Sequence, residues 1–98
     1  MDEKVLANIK GTKEKLLNDL PKFLELEGKE QFFLGEQMES YTNDSLEELK
    51  GSFETNNEFA KFVNVLYGCQ QLDDFGEKWA TTREKVLEWI EFLKNFNV

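Results

Sequence analysis

The sequence predicts an all-α fold, a compact bundle of four to five short helices in a single helical domain covering residues 1–98. Three observations carry that expectation. Apolar residues recur at spacings of three and four along most of the chain, which is the period of one helix face. Polar turns with a capping Ser, Thr, Asn or Asp ahead of a Glu punctuate those stretches. The one short run able to form a strand, Gln31-Phe32-Phe33-Leu34, has no β-branched run elsewhere to pair with. The chain has 98 residues, 40% of them hydrophobic and 13% aromatic, so it can supply a core without staples. A domain of this size buries roughly 60 to 68% of its unfolded surface. No repeat, low-complexity segment or linker divides it.

The elements follow in order. Val5, Leu6, Ile9, Leu16, Leu17 and Leu20 line one side of a first helix, which Gly11 and Thr12 weaken without ending. Pro21 cannot donate a backbone hydrogen bond, which places it in the first turn of a second helix. Phe23, Leu24 and Leu26 give that short element its apolar side, and Gly28 closes it as a C-cap. Over residues 29–41, Phe32, Phe33, Leu34, Met38 and Tyr41 fit a helix with Gly35 as a flaw, although residues 31–34 alone also suit a strand. Thr42-Asn43-Asp44 reads as a turn that starts a further short helix. Asp44 with Glu47, or Ser45 with Glu48, makes a capping box there, Leu46, Leu49 and Phe53 face inward, and Gly51 limits the length. Thr55-Asn56-Asn57 is a second polar turn, with Asn57 as N-cap. Phe59, Phe62, Val63, Leu66 and Cys69 then mark a helix running to about Phe75.

The last helix is expected to begin near Thr81, boxed with Glu84, and to continue through Val86, Leu87, Trp89, Ile90, Phe92, Leu93 and Phe96. Val65 and Tyr67 widen the apolar arc of the helix before it to roughly 200°. Leu87, Phe92 and Phe96 widen that of the last helix to about 220°. Such arcs belong to helices central in a bundle or to helices with a second apolar face, and centrality is the stronger expectation. Trp79 and Trp89 are expected to be structural. If the flank bearing Trp89, Phe92 and Phe96 is exposed, it becomes a contact for a homodimer.

Charge is unevenly spread. Twelve Lys plus Arg against twenty Asp plus Glu give a net charge of −8. Residues 1–20 balance, whereas residues 21–50 carry eight acids and three bases. Between Lys29 and Lys50 stand Glu30, Glu36, Glu39, Asp44, Glu47 and Glu48 with no base among them. Such a surface repels the phosphates of nucleic acids and of anionic membranes, because binding to either draws on Lys and Arg. A basic surface of another protein is the natural partner. No basic segment followed by an apolar run opens the sequence, so a cytoplasmic location is expected, and a lone Cys69 agrees with a reducing compartment. Asn43-Asp44-Ser45 matches a glycosylation sequon, which has no role there.

Missing residue types narrow the chemistry. The sequence has no His and one Cys. Ser40, Ser45, Ser52 and Cys69 therefore lack an imidazole base, and neither a disulfide within the chain nor a zinc site is expected. The six glycines stand singly, without a phosphate loop, and no Asp/Asn alternation before a Gly forms a calcium loop. Asp73-Asp74 and Glu47-Glu48 are adjacent pairs that diverge on a helix. No metal, no cofactor and no catalytic activity are expected.

Asp44-Ser45-Leu46 resembles the attachment site of acyl carrier proteins, small acidic helical proteins. That resemblance implies a phosphopantetheine arm on Ser45. The competing reading is that Asp44 and Ser45 cap a helix. The acidic stretch likewise has two readings, a solvated face or a binding site. Phe32, Phe33, Met38 and Tyr41 interleave with its acids, and rings beside carboxylates are the make-up of interface hot spots. Phe32 and Phe33 are expected in the core and Tyr41 at the surface. The sequence thus favours a non-catalytic binding protein, an inhibitor such as an immunity protein, antitoxin or phage-type antagonist. Glu30, Glu36, Glu39, Asp44, Glu47 and Glu48 would steer a partner's basic surface while Tyr41 anchors it. A helical adaptor or self-associating structural protein is one rival, and an acyl-carrier-like protein modified at Ser45 is the other.

Overall fold

A computed structural model describes residues 3–49, 57–72, 75 and 81–97. Among these residues the chain is four helices and no strand: α1 (Glu3–Glu25), α2 (Gly28–Leu49), α3 (Asn57–Cys69) and α4 (Arg83–Asn95). The all-α expectation holds, and residues 29–41 are helix. Gly51, Ser52, Phe53, Thr55-Asn56, Asp73-Asp74, Gly76 and Trp79, to which the sequence assigned roles, lie outside the described residues.

α1 packs against both α2 and α4, and α2 against α3. The molecule measures 40 × 22 × 21 Å. At ~1.5 Å per residue, the two long helices, of 23 and 22 residues, account for most of that length. α1 buries Ile9, Thr12, Leu16, Leu20 and Phe23, one stripe at spacings of three and four. Pro21 does not begin a helix, contrary to the sequence reading, but lies inside α1. Leu20 and Phe23 on either side of it are fully buried, and their packing holds the helix through a residue that removes a backbone donor. Beyond Glu25 the Leu26 N–H is shared between the carbonyls of Lys22 and Phe23 at 3.1 and 3.3 Å. Gly28, at φ +60°, then reverses the chain. A side chain rarely adopts that left-handed conformation.

α2 holds the second correction. Thr42-Asn43-Asp44 is not a turn, and neither capping box forms, because the helix runs unbroken to Leu49. Its buried stripe is Leu34, Gly35, Met38, Thr42, Ser45 and Leu49. Local propensity for a turn yields to burial: the Thr42 hydroxyl donates back to the Met38 carbonyl at 2.6 Å, and Ser45 donates to Asn8 Oδ1 on α1. Gly35 fits close packing, since a Cβ there would stand 3.3 Å from the Phe23 ring.

α3 ends at Cys69, six residues short of the expected Phe75. The N–H groups of Gln70 and Gln71 bond three residues back, to Tyr67 and Gly68, both at 3.1 Å. That tightened turn drops Leu72 into the core. It also sets Phe75 edge-on to Phe23, with ring centroids 5.0 Å apart. The cap of α4 is Thr82 rather than Thr81, its side chain accepting from the Lys85 N–H at 3.2 Å. The sequence motif was displaced by one residue, and Thr81 with Glu84 is not a box.

Aromatic rings close the bundle between α3 and α4. Phe96 stacks on Phe62 at 5.3 Å and on Phe92 at 5.2 Å, and meets Phe59 edge-on at 5.8 Å. Its carbonyl accepts from Lys13 Nζ, which ties the end of α4 to α1. Trp89 is 7% exposed and Phe96 3% exposed. The flank that a homodimer would use is thus mostly spent inside the chain, with Phe92 half-buried. The wide apolar arcs are chiefly core, which leaves Tyr67 and Leu87 as separate exposed side chains.

Candidate functional site

All seven candidate partner-binding residues fall on α2, but not on one face of it. At ~100° per residue, Glu36 and Glu47 project opposite the buried stripe. Glu30, Asp44 and Glu48 lie on the flank toward α1, and Glu39 on the flank toward α3. Hydrogen bonds fix those two flanks. Glu48 accepts from Asn8 Nδ2 on α1, whereas the Glu39 carbonyl accepts from Gln70 Nε2 just beyond α3 at 2.9 Å. The acids therefore clothe the whole solvent side of α2. Lys29, in its first turn, is the one base among its described residues.

Tyr41 is corrected from exposed anchor to half-buried strut. Its hydroxyl donates to Asp19 Oδ2 on α1 at 3.0 Å, and the Lys15 ammonium stands 5.3 Å from its ring centroid. Burial first, and the Asp19 carboxylate second, push the phenol well above its ordinary range. The ring thus joins α1 to α2 and is only partly open to solvent.

Beside it, a polar groove of about 270 Å³ runs between α1 and α2. Small residues open it: Ala7, Gly11 and Thr12 on α1 face Ser45 on α2. Lys15, Asp44 and Glu48 rim it. Its inner polar atoms serve the fold, with Asn8 Oδ1 taking hydrogen bonds from Ser45 and from Thr12. Ser45 is 4% exposed and sits mid-helix. A serine that receives a phosphopantetheine arm has to present its hydroxyl to a transferase, and this one faces α1.

The aromatic pair that the sequence assigned to the core lies instead on the outside of α2. Phe32 is 44% exposed and Phe33 58% exposed, and their rings touch at a centroid distance of 6.0 Å. Periodicity holds the signal that could have shown this. Leu34, Met38, Ser45 and Leu49 share a stripe, and Phe32 and Phe33 fall on the far side of it. Glu36, one turn on from both rings, and Glu30, one turn before Phe33, are exposed too.

The Cys69 thiol is buried, and desolvation pushes it up to about 12 from 9.0. Among the described residues, no three or more of Asp, Glu and Cys gather as metal ligands. No described helix is long and apolar enough to cross a membrane. No family model, curated protein or solved structure matches the chain.

Proposed function

We propose that this protein is a small acidic binding protein without catalytic activity, an inhibitor that masks a basic surface on a partner protein. Immunity proteins, antitoxins and phage-type antagonists are the functional kind meant. The supporting observation is the continuity of α2. Six carboxylates stand over five helical turns of one rigid element, with a single lysine at its start. A partner's positive cleft meets a preformed negative ridge, so association costs little ordering and gains electrostatic steering. Two of the candidate nucleophiles, Ser45 and Cys69, are buried and used in packing.

The test is the rate of association with basic nucleases, measured at several ionic strengths. Wild-type protein is expected to inhibit a susceptible nuclease at one-to-one stoichiometry, with a rate constant that falls as salt rises. Charge reversal of Glu36, Asp44 and Glu47 to Lys should slow association about tenfold or more and flatten its salt dependence. Association unchanged by the triple reversal would overturn the proposal.

A further inference from the structure

Among the described residues, Phe32 and Phe33 belong neither to the core nor to the half-buried side chains packed against it. Around α2 they stand on either side of the line opposite its buried stripe, Phe33 outermost and Phe32 nearer the α3 flank, and their rings touch at a centroid distance of 6.0 Å. Together they leave the equivalent of about one whole phenylalanine in water. A helix needs no aromatic at those positions, where a polar side chain serves the fold as well. Isolated exposed apolar residues are ordinary, but adjacent rings in mutual contact with a charged rim are the form of a docking anchor.

The rim identifies the occupant. Glu30 and Glu36 flank the rings, and Glu47 continues the same outer line toward the end of α2, against Lys29 as the lone base. A second copy of the chain would bring another −8 of charge to this rim, so like would meet like. A cationic segment is complementary. The rings and carboxylates follow a helical rise, and a straight ridge of this kind suits another helix laid along it.

Resting on the binding-protein reading, we infer that Phe32 and Phe33 anchor a basic amphipathic helix of the partner. Its apolar side chains cover the two rings, and its Lys or Arg residues meet Glu30, Glu36 and Glu47.

Two synthetic peptides test this on the full chain. One is a helical leucine–lysine peptide with leucines at heptad spacing, and the other an oligolysine of equal charge. The leucine–lysine peptide is expected to bind about tenfold tighter. Amide shift changes should centre on residues 29–37 of the isotope-labelled protein. Phe32→Ser with Phe33→Ser should remove that preference while helicity by circular dichroism stays intact. Glu30→Gln with Glu36→Gln should weaken both peptides. If the two peptides bind alike and the serine variant changes nothing, the anchor is wrong while the acidic-surface reading survives. If neither binds, both fail. Shifts centred on Tyr67 or Leu87, or self-association of the wild type that the serine variant abolishes, would also overturn the anchor.

Discussion

Gly68 and Gly11 look alike in the sequence, single glycines inside apolar-periodic stretches, yet the structure gives them opposite meanings. A Cβ on Gly68 would stand 2.3 Å from Cζ2 of Trp89 and 2.7 Å from its Cη2. The indole is itself buried and has no room to withdraw. Gly68→Ala should therefore cost about 1–3 kcal/mol through overpacking, read as a lower urea midpoint. Gly11 faces open space within 4 Å, so alanine there serves as the matched control and should not destabilise. No one-dimensional pattern separates the two, because the distinction lies in which ring crosses the backbone. Phe32, Phe33 and Tyr41 depart from their expected places for a related reason. Hydrophobicity ranks the phenylalanines inside and tyrosine outside, but position around α2 and the Asp19 hydrogen bond decide the matter.

At the scale of helices, what was legible is what burial and local preference agree on. The stripes of α1, α3 and α4 announce themselves through Ile9, Leu16 and Leu20, Phe62 and Leu66, and Val86, Ile90 and Leu93. Disagreement hid the rest. α2 turns Gly35, Thr42 and Ser45 toward its neighbours, so its inner side reads as a polar turn that splits one helix into two. Pro21 misled in the same way, since its backbone rule is sound but is outweighed by Leu20 and Phe23. The cost of the proline should still be measurable. Pro21→Ala restores a donor facing the Leu17 carbonyl and relieves ring crowding, and should raise stability by about 1–3 kcal/mol. A urea midpoint that falls instead would show the proline to be accommodated without strain.

The whole molecule should weaken in alkali. Burial holds the Cys69 thiol at about 12 against 9.0, and the Tyr41 phenol also lies above its ordinary 10.0. Both pKa values are raised on folding, so both contributions are complete below the unfolded values. They are lost as pH climbs from about 9 toward the folded values. Urea midpoints should thus be level from pH 7 to 8 and fall steadily by pH 11, and Cys69→Ala should delay the onset. A midpoint constant to pH 11 would contradict the burial of these groups. The two-residue link of Leu26 and Glu27 before Gly28 has a kinetic consequence. Closing so short a loop is entropically cheap, so the α1–α2 hairpin can nucleate early from contacts near in sequence. The docking of α4 on α1 spans most of the chain and follows later. A folding transition state built this way is polarised toward the N-terminal half, with the ring cluster around Phe96 condensing on its downhill side.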